Sequence, residues 1–179
     1  MRKKLTPASE YGSSLPDGTP ADIAILAGIG DVCLQWARLE IVILGVIAAL
    51  EDQTTDETWL RYSGLDLLPR IALGIRLSEQ KGYPVRFAKS LRSIRSELQG
   101  KEGLATKRNE IVHGAHKNLD GESATLTMTR YPEGRREVTI DPFGLNRIAR
   151  QIHELGDKSF ALMQEVGTWK IQQALKLGD

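Results

Sequence analysis

The sequence predicts an all-α fold, an up-and-down bundle of four to five helices with a small β-hairpin before the last helix. Two long stretches repeat apolar residues at the three- and four-residue spacing of a helix, and shorter stretches of the same kind lie between them. A strand-like alternation is found only near residues 125–140. With 179 residues the chain can bury a sizeable core. We expect a flexible polar tail over residues 1–18 and one helical domain over 19–179.

The first helix is predicted to start at Thr19-Pro20, because a hydroxyl cap followed by proline is a typical helix start. It continues for about thirty residues, in which one face is apolar throughout. This stripe consists of Ile25, Ile29, Val32, Trp36, Leu39, Ile43, Val46 and Leu50. A stripe of that length covers a partner helix, either in this chain or in another chain.

Shorter helices are expected in the middle of the chain. Thr54 and Glu57 have the spacing of a capping box and predict a short helix after them. Apolar spacing and the glycines that follow predict three further helices, over Leu67–Gln80, from Pro84 through Leu98, and over Leu104–His113.

The predicted hairpin separates these helices from a long closing helix. Thr125–Thr129 and Glu137–Ile140 alternate as strands do, around the turn signal Pro132-Glu133-Gly134. Asp141-Pro142 is then a helix start. The helix after it has a second apolar stripe, made of Leu145, Ile148, Ile152, Leu155, Leu162, Val166 and Trp169.

Composition indicates a soluble, cytoplasmic protein. Cys33 is the only cysteine, which excludes an intrachain disulfide and suits a reducing compartment. The uncharged apolar run Ile41–Leu50 is half of the ~20 residues that a membrane helix needs. The basic start Met1–Lys4 is not followed by the apolar segment of a signal peptide.

Charge is unevenly distributed, although the net charge is only +1. Residues 70–108 hold ten basic and three acidic residues, whereas residues 1–60 hold four basic and nine acidic residues. Such asymmetry produces either a face that attracts phosphate or two segments that pair with each other.

The segment Arg108–Gly114, with the sequence Arg-Asn-Glu-Ile-Val-His-Gly, is the best candidate for chemistry. Asn109 and His113 are four residues apart and share a helix face, while Arg108 points about 140° from His113. An imidazole can take a proton from a ribose 2′-hydroxyl, and a guanidinium can bind phosphate oxygens as their negative charge builds. Two copies of the segment, facing each other across a two-fold axis, can surround one phosphate.

Arg108-Asn109 followed by His113-Gly114 resembles the R-x4–6-H signature of HEPN domains. Trp36-Ala37-Arg38-Leu39-Glu40 also resembles the W-x-x-L-E pattern on the first helix of small stand-alone HEPN-like proteins. The resemblance covers roughly residues 21–175, with the Arg108–Gly114 segment as its specific part.

This resemblance implies a homodimer in which the two motifs face each other, and metal-independent cleavage of RNA. Arg108 and His113 would be catalytic, Asn109 would orient them, and no cofactor or metal would be needed. Many members of the family are toxins or act in defence against phage. The expected partners are an RNA substrate, a second copy of the chain and an antitoxin or regulator encoded elsewhere, and no membrane.

Other interpretations of the same residues stay open. Arg108 can pair with an acid such as Glu40 or Glu110, and His113 can stabilise a helix end. The chain would then be a non-catalytic helical dimer that binds a nucleotide, a nucleic acid or a partner protein, or a regulatory partner held by the first helix. His116 and His153 do not form a convincing metal site with His113, because Gly114 interrupts the helix between His113 and His116.

Overall fold

The computed structural model describes residues 21–100, 102–119, 124–128 and 136–176. These residues form the helices α1 (Ala21–Glu51), α2 (Thr55–Tyr62), α3 (Leu67–Gln80), α4 (Val85–Leu98), α5 (Leu104–His113) and α6 (Pro142–Lys176), and the strands β1 (Ala115–Leu119), β2 (Ala124–Met128) and β3 (Arg136–Ile140). The predicted class, an all-α helical bundle with a small β element before the last helix, is confirmed. Six helices are described, one for each helical stretch that the sequence predicts, so the bundle has more helices than the four to five expected.

The described residues divide into two compact units. The first contains residues 21–36 and 102–153 within its described part, and the second contains residues 37–100 and 154–176. Each unit therefore includes part of α1 and part of α6. The single domain expected over residues 19–179 stays a prediction, and the predicted tail of residues 1–18 and the Thr19-Pro20 helix start lie outside the described residues.

In the first unit, the beginning of α1 packs closely against the beginning of α6. A Cβ atom added at Gly28 would lie 2.9 Å from Leu145 Cβ, so only glycine allows this approach. The predicted start of α6 is confirmed, since Asp141 Oδ1 accepts a hydrogen bond from the Gly144 N–H at 2.6 Å. Leu145 and Ile152 of α6 are fully buried, as the predicted stripe requires.

The β element is a three-stranded antiparallel sheet in the order β1-β2-β3, larger than the predicted hairpin. The antiparallel pairing of the two predicted strands is confirmed, because Leu126 pairs with Val138 and Ala124 with Ile140, while the predicted turn Pro132-Glu133-Gly134 lies outside the described residues. Strand β1 was not predicted. Its sequence, Ala-His-Lys-Asn-Leu, lacks an alternation of strongly apolar and polar residues, and its pairing with β2 is irregular between His116 and Asn118.

In the second unit, α3 and α4 pack against each other, with Ile71 and Phe87 fully buried. Side chains cap the backbone carbonyl groups at the C-terminal end of α1. The carbonyl oxygen of Leu50 accepts hydrogen bonds from Lys81 Nζ at 3.0 Å and Tyr83 Oη at 3.1 Å, and that of Ala49 accepts one from Lys170. Cations at a helix C-terminus also stabilise its dipole.

The predicted capping box of α2 is confirmed. The Glu57 N–H donates to Thr54 Oγ1, and Glu57 Oε2 accepts from the Thr54 N–H at 2.9 Å. The hydrogen bond from the Thr54 N–H, and then a second one that Thr54 Oγ1 donates to Glu57 Oε2 at 2.9 Å, lower the pKa of the Glu57 carboxyl below its ordinary value. At the other end of α2, the buried Arg70 donates to the carbonyl oxygens of Tyr62 and Ser63.

Helix α1 has two apolar faces of different exposure. The predicted stripe is buried at all positions except the half-buried Ile29, which confirms the prediction for this face. The opposite face is exposed over the first five turns. We call this surface the α1 outer face; it consists of Ile23, Leu26, Gly30, Leu34, Ala37 and Ile41.

Candidate functional site

Helix α5 carries the three residues that the sequence singled out, and it has the predicted bounds. Leu104 and Ile111 bury its inner side, and the helix lies next to strand β2 in the first unit. The Gly114 N–H donates to the Glu110 carbonyl at 3.0 Å and closes the last turn. We call Arg108, Asn109 and His113 the α5 motif.

Arg108 is held in place from two sides. Its guanidinium lies over the Trp36 ring, with Cζ 5.5 Å from the ring centroid, and Trp36 is itself buried in α1. Nη1 of Arg108 donates a hydrogen bond to Asn109 Oδ1 at 3.1 Å. A cation over an indole face is stabilised by about 0.5–2 kcal/mol, depending on how far it is removed from water. The half-buried arginine therefore has a fixed position near the protein surface.

Asn109 and His113 are exposed. They are four residues apart in a continuous helix, so their side chains leave α5 on the same side. Within the described part of the molecule, no hydrogen bond joins Arg108 to His113, as expected from the angle of about 140° between them around the helix axis. A single copy thus brings Arg108 and Asn109 together and leaves His113 apart.

The described contacts of Arg108 differ from the acid pairing that the sequence left open. They are made with an aromatic ring and an amide. The role of Trp36 was predicted only in part: its burial confirms it as a core residue, but its contact with Arg108 was not foreseen. The contact between Arg108 and Trp36 joins the two segments on which the family resemblance is based. Glu110 is a further polar residue of α5, and it is buried. Its burial was not predicted from the sequence.

His153 belongs to a second polar cluster in the first unit, together with Gln35 and Asp31. Gln35 Nε2 donates to Asp31 Oδ1 at 3.1 Å, and Gln35 Oε1 lies 3.0 Å from His153 Nδ1. Because the amide oxygen only accepts, this arrangement assigns the hydrogen to Nδ1 of His153. The cluster joins α1 to α6, and the periodicity of either helix alone gave no signal for it.

Two of the four basic residues of α4 form ion pairs with acids of the second unit. Arg86 lies 3.6 Å from Glu165, and Arg92 forms an ion pair with Glu79. Lys158 of α6 pairs in turn with Glu97 at 2.9 Å. Exposed pairs contribute little to stability. None of these three pairs joins residues 70–108 to residues 1–60, so both explanations of the uneven charge stay open.

Neither a metal site nor a membrane segment is established. Among the described residues, no group of three or more His, Cys, Asp or Glu side chains is arranged to hold a metal ion, and His116 lies in β1 rather than on α5. Residues Ile23–Glu51 form one helix long and apolar enough to cross a membrane by composition, yet 56% of its most apolar window is buried in the protein. Cytoplasmic location stays a prediction.

In comparison with known proteins, no protein-family model matches the chain, and no curated protein or solved structure is significantly similar to it.

Proposed function

We propose that this protein is a metal-independent endoribonuclease of HEPN type that cleaves RNA in the cleft of a homodimer, as a toxin or a defence effector against phage. One observation carries the proposal. The Arg108 guanidinium is fixed by Trp36 and Asn109, while Asn109 and His113 remain exposed on one side of the same helix. A fixed cation and an exposed imidazole are the two groups that phosphodiester cleavage by an internal nucleophile requires, and two copies of the motif can bring them to one phosphate.

In the proposed reaction, the His113 imidazole removes the proton of a ribose 2′-hydroxyl. The 2′-oxygen then attacks the adjacent phosphorus, and the bond from phosphorus to the 5′-oxygen breaks. A protonated imidazole returns a proton to the leaving 5′-oxygen. Arg108 binds the non-bridging oxygens while they gain charge. The products are a 2′,3′-cyclic phosphate and a free 5′-hydroxyl, and no external water or metal takes part in this step.

The geometry of α5 supports a site formed by two copies. In one chain Arg108 and His113 point about 140° apart, so a single motif does not surround one phosphate. Two motifs related by a two-fold axis supply two arginines and two imidazoles around a common cleft. One imidazole then acts as the base while the other acts as the acid.

The proposal is tested by incubating purified protein with RNA in EDTA, beside the His113→Gln variant. We expect the wild type to cleave, His113→Gln to lose more than about a hundredfold in rate, and the ends to be 2′,3′-cyclic phosphate and 5′-hydroxyl. The matched control is His153→Gln, which removes a histidine of the same unit that lies outside the α5 motif and contacts Gln35. Equal cleavage by the wild type and His113→Gln would refute the role of His113.

Arg108 is tested by two substitutions. Arg108→Lys keeps the positive charge but loses the planar group that stacks on Trp36 and donates to Asn109. We expect both Arg108→Lys and Arg108→Ala to lose activity while circular dichroism shows a folded protein. Unrestrained cleavage should also make expression of the wild type harmful to cells and expression of His113→Gln harmless.

The second candidate function is a non-catalytic helical dimer that binds a nucleotide, a nucleic acid or a partner protein. The contact of Arg108 with the buried Trp36 favours it, because this contact also stabilises the packing of α5 on α1. In that case Arg108→Ala lowers the melting temperature, and neither the wild type nor the variants cleave any of several RNAs in EDTA.

A further inference from the structure

The Asn109 side chain is an exposed amide whose orientation is set by Arg108. Its Oδ1 accepts a hydrogen bond from Arg108 Nη1 at 3.1 Å. A guanidinium only donates hydrogen bonds, so the amide atom that faces it is the oxygen and not the nitrogen. Nδ2 therefore lies on the other branch of the amide, and no described residue accepts a hydrogen bond from it. Because Asn109 is exposed, both N–H groups of Nδ2 are available to a ligand.

Arg108 presents donors of the same kind beside this amide. Trp36 covers one face of the guanidinium, and Nε is buried and has no hydrogen-bond partner among the described residues. The Nη end, next to Asn109, is thus the part of the guanidinium from which a ligand can accept hydrogen bonds. Two neighbouring planar groups therefore offer N–H donors side by side, and the amide oxygen is already bound to Arg108.

A surface that offers donors alone fits a ligand that only accepts hydrogen bonds. The two non-bridging oxygens of a phosphodiester are such acceptors, and a pair of planar donors binds two oxygens of one anion in parallel. Base edges and ribose hydroxyls contain donors as well as acceptors, so they match this surface less well. A carboxylate has the same acceptors as a phosphodiester. The choice of the phosphodiester rests on the proposed function, in which His113, on the same side of α5 as Asn109, acts on RNA.

We propose that Asn109 is a substrate-binding residue, whose Nδ2 donates a hydrogen bond to one non-bridging phosphate oxygen of the RNA while Arg108 binds the other. The family resemblance implies only that Asn109 orients the catalytic pair, so a contact with the substrate is a further role. The contact is made to phosphate and not to sugar. The α5 motif therefore binds DNA as well as RNA, although only RNA has the 2′-hydroxyl that the proposed reaction needs.

The variant Asn109→Asp separates the two roles. A carboxylate accepts a hydrogen bond from Arg108 more strongly than an amide does, so it orients the guanidinium at least as well. It differs in the second branch, where an anionic oxygen replaces the donor Nδ2 and repels phosphate. An orienting role alone predicts that Asn109→Asp binds nucleic acid as the wild type does, whereas a donor role predicts a large loss of binding.

The first test is fluorescence anisotropy of a fluorescein-labelled DNA oligonucleotide in EDTA, because the proposed reaction cannot cleave DNA. We expect the wild type to bind with a dissociation constant of about 1–100 µM at low salt, and Asn109→Asp to bind at least about tenfold more weakly. The absence of DNA binding by the wild type, or equal binding by folded Asn109→Asp, would overturn the proposal.

The matched control for the added charge is Gln151→Glu. It makes the same change from amide to carboxylate at an exposed position of α6 in the same unit. Gln151 points about 160° from His153, which contacts α1, so it faces away from the helix that holds Arg108. Gln151→Glu should bind the DNA as the wild type does. An equal loss in Gln151→Glu would assign the effect to net charge and overturn the proposal.

The second test observes the donor itself. In a proton–nitrogen correlation spectrum of the full chain, the Nδ2 pair of Asn109 is identified by its absence from Asn109→Asp. We expect its protons to shift downfield when the wild type is saturated with the DNA, because a hydrogen bond to a charged oxygen deshields them. An Nδ2 pair that does not move would show that Asn109 only orients Arg108 and would overturn the proposal.

Failure of this proposal differs from failure of the nuclease. DNA binding that depends on Asn109, together with no cleavage of RNA in EDTA, would exclude the nuclease and support the phosphate contact. Cleavage of RNA that depends on His113, together with equal DNA binding by Asn109→Asp, would support the nuclease and exclude the phosphate contact.

Discussion

Three glycines of α1 allow the packing of the long helices to be tested without changing their polarity. Replacing a helical glycine by alanine stabilises a helix by about 1 kcal/mol if the new methyl group has space. At Gly28 it has none, because the added Cβ would lie 2.9 Å from Leu145 Cβ and 3.0 Å from its Cδ1. At Gly30, two residues later, nothing lies within 4 Å.

Gly28→Ala and Gly30→Ala gain the same helix propensity, so the difference between their free energies of unfolding measures the packing at Leu145. Overpacking a well-packed contact costs about 1–3 kcal/mol. We therefore expect Gly30→Ala to stabilise the protein by about 1 kcal/mol and Gly28→Ala to destabilise it by up to about 2 kcal/mol. Gly45→Ala should fall between them, because its added Cβ would meet Met163 Sδ, on a side chain that can rearrange.

The assay is urea denaturation followed by circular dichroism, at one protein concentration for all variants. The slope of the free energy of unfolding with urea should be the same for all variants, so that midpoints report stability directly. If Gly28→Ala were as stable as Gly30→Ala, the close approach of α1 and α6 at Leu145 would be incorrect, and with it this account of the first unit.

Two further predictions concern the ends of helices in the second unit. Tyr83→Phe should lower the free energy of unfolding by only about 0.5–1 kcal/mol, because Lys81 still donates a hydrogen bond to the Leu50 carbonyl. Urea or thermal denaturation measures this loss. A loss above about 3 kcal/mol would contradict the shared capping of the Leu50 carbonyl. Hydrogen bonds from Thr54 lower the folded pKa of Glu57 below its ordinary value of 4.5, so its stabilisation is present above that pH and is lost as the pH falls through the lower folded value. Melting curves should show Glu57→Gln destabilised near pH 7 and equal to the wild type near pH 2; a difference that does not change with pH would refute the charge-dependent part of the cap.

The α5 motif illustrates how a local sequence signal and a tertiary contact combine. Helix α5 and the separation of Arg108 from His113 follow from the sequence alone. The contact between Arg108 and Trp36 does not, because it joins residues more than seventy positions apart and depends on how α5 packs on α1. With His113 exposed, cleavage of RNA in EDTA is the measurement that decides between the nuclease and the binding module.

The sequence predicted most elements because their signals are local. The Thr54–Glu57 capping box, the helices over Leu67–Gln80 and Leu104–His113, and the cap at Asp141 each depend on residues within a few positions of one another. Strand β1 was missed for the same reason: its own residues carry little β signal, and it is a strand because β2 offers backbone hydrogen bonds to it.

Helix α1 marks the limit of such local inference. Periodicity identified the stripe that includes Ile25, Val32 and Trp36, and these residues are buried. The residues of the opposite face are equally apolar, and the sequence alone did not reveal that Leu34 and Ile41 would be left exposed. An apolar helix face favours burial wherever it occurs. Which apolar faces are buried within the chain depends on the tertiary packing, because a face is covered only where another helix packs against it.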